Sequence, residues 1–260
     1  MVELLNQKNF RNVRNLPFCY LCGKTFNADD CVNRDHLPPE SIFASEHREP
    51  LLLPTHLKCN KAHELTDEKI CQLIALRYGK VPSHPKHRRL KFTVTPSLNL
   101  GAVTNVNVDA AVWRWIAGFH AALYREPAVG IRGALVTPFP KAQNISGRLV
   151  AEPLKPQHLE FVKTIRTDRI KGNLDRIRCN KGKVVYECVW CQSRNDGPWL
   201  CIFALDIYDW KDLGDTGQFP ARGCAGFYTL PLGGVPVDAT RGTGSSLIIP
   251  MKDPLDPFAD

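Results

Sequence analysis

The sequence predicts a mixed α+β fold, and three observations support this class. Residues 109–123 place apolar side chains at intervals of four, three and four, which is the spacing of an amphipathic helix. The runs 184–190 and 199–207 are rich in β-branched and aromatic residues, and a turn-forming Asn-Asp-Gly-Pro segment separates them. The first ninety residues have weak apolar periodicity but contain paired cysteines and histidines, which is typical of a module organised by metal ligands.

Composition excludes several classes of protein. The 260 residues are 43% hydrophobic and 9% aromatic, which is enough for a large core and too apolar for a disordered chain. The apolar stretch 110–123 is interrupted by Arg114 and falls short of the roughly 20 residues that a membrane span needs. The first residues carry an acid and no apolar run, so no signal peptide is visible. We therefore expect a soluble cytoplasmic protein without a membrane partner. The net charge of +8 favours a polyanionic partner such as a nucleic acid.

The predicted elements follow one another in a simple order. Thr66 can cap a helix whose apolar residues recur at helical spacing, and a short strand is predicted at 92–95. Asp109 caps the amphipathic helix, and a further helix begins at Pro156. The two β runs then follow as an antiparallel pair.

A basic stretch divides the chain. Residues 77–91 contain six lysines and arginines, two histidines and no acid, and two prolines prevent a continuous helix. We interpret 77–91 as an exposed linker between an N-terminal module, 1–76, and an α+β accessory domain, 92–260. The accessory domain would recognise substrate or a partner.

We interpret paired cysteines among the ten in this chain as metal ligands rather than as disulfides, because the chain is long enough to build a core without disulfides. Cys19-x-x-Cys22 is followed directly by glycine, as in a zinc knuckle, and His56-x-x-Cys59 has the same short spacing. Together these four residues predict a closed Cys₃His zinc site, structural in role; the alternative is two unrelated pairs of buried thiols. Cys31 and Cys71 are expected in the core. For Cys188 and Cys191 core packing is favoured over a second zinc site, and Cys179, Cys201 and Cys224 are left unassigned.

Between the two half-sites lies a segment that resembles a known family. Arg-Asp-His-x-Pro-Pro-x-x-x-Phe, from Arg34 to Phe43, is preceded by Cys-x-x-Cys and followed by a return into Cys59-Asn60. This order over about residues 15–75 is similar to the zinc-stabilised HNH (His-Me finger) endonucleases. The resemblance implies an N-terminal zinc-organised ββα-metal (HNH) module joined to a C-terminal mixed α+β domain.

The resemblance also implies roles for individual residues. Asp35 would hold a divalent ion, Mg²⁺ or Mn²⁺, that touches the scissile phosphate, and His36 would take the proton from the attacking water. Asn60 would be the second ligand of that ion, with His63, three residues later, as the alternative. The chain departs from the family pattern in one respect. Residues 37–55 contain no asparagine, which in the family helps to orient the substrate or the histidine.

The function expected from these features is metal-dependent hydrolysis of DNA phosphodiester bonds, with RNA left open. Basic residues would contact phosphates with little sequence preference: Arg34, Lys86, Arg88, Arg89 and Lys91. A homodimer, or a regulatory protein partner in a prokaryotic, phage or defence context, fits the same expectation. The alternative is a zinc-stabilised nucleic-acid-binding protein that does not cut.

Overall fold

The computed structural model of the chain has a mixed α+β architecture, which confirms the predicted class. The residues that the structure describes are 1–43, 47–77, 90–95, 100–103, 105–136, 142–145, 148–151, 164–165, 167–192, 198–207 and 224–231. The helices are α1 (Gln7–Arg11), α2 (Leu57–Lys61), α3 (Glu64–Arg77) and α4 (Val108–Tyr124). The strands are β1 (Glu3–Leu4), β2 (Val32–Leu37), β3 (Leu51–His56), β4 (Phe92–Thr95), β5 (Leu100–Val103), β6 (Arg132–Val136), β7 (Ala142–Ile145), β8 (Arg148–Ala151), β9 (Asp175–Cys179), β10 (Val184–Gln192), β11 (Trp199–Ile207) and β12 (Cys224–Thr229).

A six-stranded sheet forms the centre of the molecule, in the order β1-β9-β10-β11-β12-β6. All of its pairings are antiparallel except that of β1 with β9. Alternate residues of β10 face opposite sides, so Tyr186 and Trp190 join the main core while Val189 joins a second, smaller cluster. Because both faces of the sheet are covered, β10 is a nearly continuous apolar run.

Helix α4 packs on the main face of this sheet. The predicted stripe, Val112, Ile116, Phe119 and Leu123, is buried along its whole length. The helix begins earlier than predicted, because Asn107 rather than Asp109 is the cap: the Asn107 side chain accepts a hydrogen bond from the Ala110 backbone N–H. Asp109 instead lies in the first turn, where a carboxylate offsets the positive end of the helix.

One glycine allows α4 to approach the N-terminal part of the chain. A Cβ on Gly118 would lie 2.4 Å from a methyl carbon of Leu37 and 3.1 Å from the ring of Tyr20. Leu37 ends β2, so α4 and the strand that carries Asp35 and His36 are in direct contact. The accessory part of the chain therefore helps to position the candidate site.

The N-terminal part contains a two-stranded antiparallel sheet of β2 and β3, followed directly by α2 and α3. Helix α2 packs against both strands, and α3 packs against α4. Helix α3 begins at Glu64, before the predicted cap at Thr66, because the chain is already helical from α2 and the Asp67 N–H bonds to the His63 carbonyl.

The predicted boundaries, 1–76, 77–91 and 92–260, stay a prediction, since most of 77–91 lies outside the described residues. One core cluster includes side chains from both flanking parts, from Leu4 through Phe119 to Tyr228. The start of the predicted helix at Pro156 also lies outside the described residues, and helix is present at 164–165 and 167–171. No helix in the described part of the chain has the length and apolar character that crossing a bilayer requires.

Candidate functional site

A tight turn presents the first two cysteines. The Gly23 N–H donates to the Cys19 carbonyl at 2.7 Å, and the Cys19 N–H donates to the Lys24 carbonyl at 2.9 Å. Gly23 has a φ of +74°, a left-handed conformation that glycine adopts without strain. This closed turn is the reason that glycine follows Cys22, and it turns both sulfurs toward the end of β3.

Four side chains meet at this turn, and we call them the Cys/His cluster: Cys19, Cys22, His56 and Cys59. Their ligand atoms all lie within 4.8 Å of one another. The Nδ1 atom of His56 lies 3.4 Å from the Cys22 sulfur and 4.0 Å from the Cys59 sulfur. The four residues are therefore positioned to bind a metal ion, as the sequence spacing predicted.

A carboxylate holds the other side of the imidazole. The Nε2 atom of His56 lies 3.3 Å from Oδ2 of Asp30, and the edge of the Phe26 ring packs against the imidazole at 5.0 Å between centroids. A carboxylate only accepts hydrogen bonds, so the hydrogen lies on Nε2 and the lone pair on Nδ1 points at the three sulfurs. Metal-binding histidines are commonly oriented by an acceptor on the second nitrogen.

The thiols themselves need a cation to ionise together. Burial, together with the like charges of the adjacent Cys19 and Cys22, raises the pKa of Cys59 to about 11. Burial also opposes ionisation of Cys22, but hydrogen bonds from the Lys24 backbone and the neighbouring ligands outweigh it and lower the pKa of that thiol. A bound divalent ion would remove the repulsion among three thiolates.

Asp35 lies directly beside the cysteine turn. It is 6% exposed on the inner face of β2, and its Oδ2 accepts a hydrogen bond of 2.5 Å from the hydroxyl of Tyr20, the residue between Cys19 and Leu21. Burial and the negative charge of Asp35 raise the pKa of Tyr20 well above 10, so the hydroxyl stays a donor at neutral pH. The other carboxylate oxygen of Asp35 has no hydrogen bond to a described residue.

A buried ion pair lies next to Asp35. Arg114 of α4 donates to Oδ1 of Asp67 on α3, and the two side chains are 5% and 17% exposed. Burial raises the pKa of Asp67 to about 6, although the Arg114 charge works in the opposite direction. The pKa of His63 is lowered by burial and by Arg114, while Asp35 works against this shift. Asp35, His63 and Asp67 therefore lie within the electrostatic reach of one guanidinium.

His36 faces the opposite side of β2 from Asp35, as expected for adjacent strand residues. Its Nε2 lies 3.1 Å from Oε2 of Glu40, and Oε1 of Glu40 lies 3.2 Å from Nη1 of Arg48. All three side chains are about two-fifths exposed. Arg48 is in turn held by the Phe43 carbonyl, which accepts from its Nε at 3.4 Å.

The structure describes most of the residues expected at the second ion site. Asp35 lies on β2, Asn60 is half-buried on α2, and His63 is half-buried in the turn before α3. In the described part of the chain, the Cys/His cluster is the one group of three or more His, Cys, Asp or Glu ligand atoms this close together. The Mg²⁺ or Mn²⁺ site formed by Asp35 with Asn60 or His63 therefore stays a prediction.

The expected phosphate contacts are described only in part. Arg34 is exposed on β2, on the same face as His36, and Lys91 is exposed with its backbone N–H bonded to Oδ1 of Asn105. Lys86, Arg88 and Arg89 lie outside the described residues.

Four cysteines outside the Cys/His cluster had a predicted place in the core. Cys188 and Cys191 are buried in β10 and belong to the two different core clusters, so they lie on opposite faces of the sheet, as core packing requires. Cys71 is half-buried against the Ser41 hydroxyl. Cys31 is exposed, so its assignment to the core was wrong: it precedes β2 where that strand leaves the packed region.

Sequence reasoning missed five residues of this region: Tyr20, Asp30, Glu40, Asp67 and Arg114. Two of them carried a local signal, because Tyr20 lies between the paired cysteines and Glu40 follows His36 by four residues. The contacts of Asp30, Asp67 and Arg114 join residues 26 and 47 positions apart, and spacing alone does not indicate them.

Comparisons of the chain with protein-family models, with curated proteins and with solved structures gave no match.

Proposed function

We propose that the protein is a metal-dependent endonuclease of the HNH type, with Zn²⁺ in the Cys/His cluster. One observation supports this proposal above the others. The cluster joins the cysteine turn to the end of β3 and the start of α2, so that the strand carrying Asp35 and His36 lies between the two half-sites. A hairpin followed by a helix, with an Asp-His pair on the first strand, is the arrangement that the resemblance to HNH endonucleases implies for hydrolysis at a phosphate.

Zinc is the metal that best fits the cluster. Three sulfurs and one imidazole nitrogen are a common tetrahedral donor set for structural Zn²⁺, and hard ions such as Mg²⁺ prefer oxygen. Four protein ligands leave no open position for water, so the ion would have a structural role. It would fix the turn at Cys19 relative to α2, and the carboxylate of Asp35 is attached to that turn through Tyr20.

The proposed chemistry requires a second, oxygen-bound cation. Asp35 and Asn60 would hold Mg²⁺ or Mn²⁺, with His63 as the alternative to Asn60. Such an ion supplies charge stabilisation at the scissile phosphate and at the leaving 3′-oxygen. His36 would take the proton from the attacking water, the usual role of a histidine general base.

DNA is the proposed substrate. Arg34 is exposed on the same face of β2 as His36, where a phosphate next to the scissile bond would lie within reach of its guanidinium. The predicted basic stretch would add contacts to the backbone that do not depend on sequence. One such site cuts one strand, so a monomer would nick.

The test is a plasmid-nicking assay with Mg²⁺ or Mn²⁺, comparing wild type with His36→Ala. We expect wild-type nicking and a loss on the order of 10²–10⁴-fold in the variant, which is the usual contribution of a general base. Zinc content, folding and DNA affinity should stay at wild-type levels, since His36 is half-exposed and outside the cluster. A variant that nicks at the wild-type rate would exclude this mechanism.

A second candidate function is nucleic-acid binding without cleavage. It is favoured by the position of Asp35, which is 6% exposed and already accepts a hydrogen bond from Tyr20. This alternative would be supported over the nuclease if the protein bound DNA in a salt-dependent way but did not nick it. Nicking would have to be absent with Mg²⁺, with Mn²⁺ and after addition of candidate partner proteins.

A further inference from the structure

We propose that Glu40 is a positioning residue for His36, holding the imidazole with Nε2 toward the carboxylate and leaving Nδ1 as the nitrogen that accepts a proton. This inference rests on the proposed nuclease function and concerns the same site. It assigns the orienting role to a carboxylate in a chain whose residues 37–55 contain no asparagine.

The geometry defines the imidazole tautomer. Oε2 of Glu40 lies 3.1 Å from Nε2 of His36, and an ionised carboxylate can only accept. The hydrogen of the neutral imidazole therefore lies on Nε2, and the lone pair lies on Nδ1. In the described part of the chain Nδ1 has no hydrogen-bond partner, so this nitrogen remains available to a water molecule.

The carboxylate is itself held in place. Its second oxygen, Oε1, lies 3.2 Å from Nη1 of Arg48, whose Nε donates to the Phe43 carbonyl at 3.4 Å. Glu40 begins a short 3₁₀ turn, Glu40–Ile42, in which Ile42 is buried and anchors the backbone to the core. Arg48 and this turn hold the carboxylate from two sides, with Oε2 facing His36.

A purely stabilising role does not fit the exposure of the three side chains. Each is about two-fifths exposed, and ion pairs this exposed contribute little to folding. Removal of the Glu40 charge should therefore leave the protein folded, and any large effect on cleavage would have to act through His36.

The experiment is a double-mutant cycle on single-turnover plasmid nicking by the full chain: wild type, Glu40→Gln, His36→Ala and the double variant. We expect Glu40→Gln to lower the cleavage rate about 10- to 100-fold, the usual effect of losing an orienting partner, with unchanged DNA affinity and half-activating Mn²⁺ concentration. In the His36→Ala background the same change should alter the rate by less than about twofold, because the residue through which Glu40 acts is gone. Glu40→Ala, which removes the acceptor as well as the charge, should lose more than Glu40→Gln.

Glu3→Gln is the matched control. Glu3 is 33% exposed and pairs with Arg176 at 3.7 Å, so it resembles Glu40 in exposure and in its arginine partner but has no histidine. It should cut at the wild-type rate. The inference about Glu40 would be overturned if Glu40→Gln lowered the cleavage rate equally in the wild-type and His36→Ala backgrounds, or in neither. The nuclease proposal would still stand in that case, provided that the wild-type protein nicks. Wild-type protein that fails to nick overturns both.

Discussion

The hydroxyl of Tyr20 donates a 2.5 Å hydrogen bond to the carboxylate of Asp35, which joins the cysteine turn to the strand that carries the candidate ion ligand. Tyr20 is 1% exposed and Asp35 6% exposed, so water does not replace this bond when it is lost. Tyr20 directly follows Cys19, a member of the Cys/His cluster, in the chain. Any change in the metal bound by the Cys/His cluster therefore reaches Asp35 through one residue.

The first prediction concerns Tyr20→Phe. The change removes the hydroxyl and keeps the ring, so one oxygen of the buried carboxylate loses its donor. We expect the free energy of unfolding to fall by about 1–3 kcal/mol, the usual cost of leaving a buried polar group without its partner. The half-activating Mn²⁺ concentration should also change, because Asp35 would no longer be held in one orientation. Urea unfolding and a Mn²⁺ titration of nicking measure the two effects.

Tyr228→Phe is the control for this prediction. The Tyr228 hydroxyl is buried and contacts Nδ1 of His120 at 2.8 Å, in the core and away from Asp35. Its loss should lower stability by about 1 kcal/mol and leave the Mn²⁺ dependence unchanged. If both variants shifted the Mn²⁺ dependence equally, the special role of the Tyr20–Asp35 bond would be wrong.

The second prediction concerns Asp30, which accepts from Nε2 of His56. Asp30→Asn replaces a charged acceptor with a neutral amide, which holds the imidazole less firmly and makes Nδ1 a weaker ligand. We expect zinc affinity to fall about 10- to 100-fold, as when other carboxylate partners of metal-binding histidines are replaced. Competition with a chromophoric chelator gives the affinity. Asp29→Asn, an exposed neighbour with no contact to His56, should bind zinc as wild type does, and a lower affinity in both variants would indicate a general charge effect.

The sequence predicted the Cys/His cluster because each half-site is local. Cys19 and Cys22 are three residues apart and followed by glycine, which defines one turn, and His56 and Cys59 have the same spacing. The amphipathic helix α4 and the strands β10 and β11 were predictable for the same reason, since their periodicity lies within one element.

The surroundings of Asp35 were not predictable in this way. The Arg114–Asp67 pair joins positions 47 apart, and Gly118, one turn along α4, is where that helix comes close to Leu37 of β2. From the sequence, Arg114 is visible only as a charged residue that interrupts an apolar helix, and the spacing does not indicate which residue it pairs with. Such contacts depend on how α4 packs across the hairpin, and a single sequence contains no record of that packing.

The third prediction concerns the asymmetry of the Arg114–Asp67 pair. Asp67→Asn leaves a buried guanidinium that cannot lose its charge, because arginine is not deprotonated in proteins. Arg114→Met leaves a buried carboxyl that can become neutral by binding a proton. We expect the Asp67 variant, which keeps a buried charge on Arg114, to be the less stable of the two at pH 7. Urea unfolding of both variants measures the difference, and a greater loss from Arg114→Met would contradict the argument.

The pH dependence of the same pair has a definite sign. Burial raises the pKa of Asp67 to about 6 in the folded protein, above the value of about 4 in an unfolded chain. Between these values the folded state binds more protons, so the contribution of Asp67 to stability is full below about pH 4 and decreases as the pH rises to about 6. Relative to Asp67→Asn, wild type should therefore gain stability as the pH falls through this window. Arg114→Met should show the same gain beginning at a higher pH, because the cation that favours the carboxylate is gone.

The last prediction decides between Asn60 and His63 as the second ligand of the proposed catalytic ion. Asn60 is half-buried on α2 next to Cys59, so its position is fixed by the cluster, and an amide oxygen suits Mg²⁺ and Mn²⁺. We expect Asn60→Ala to raise the half-activating Mn²⁺ concentration at least tenfold, with partial recovery of cleavage in excess metal. His63→Ala should leave that concentration unchanged, although the imidazole is neutral at pH 7 and could bind a metal, since burial and Arg114 lower its pKa. The measurement is the Mn²⁺ dependence of nicking at fixed enzyme, with zinc content checked in each variant. A shift in His63→Ala alone would assign the ligand to His63, and equal shifts in both would mean that the two side chains share the ion.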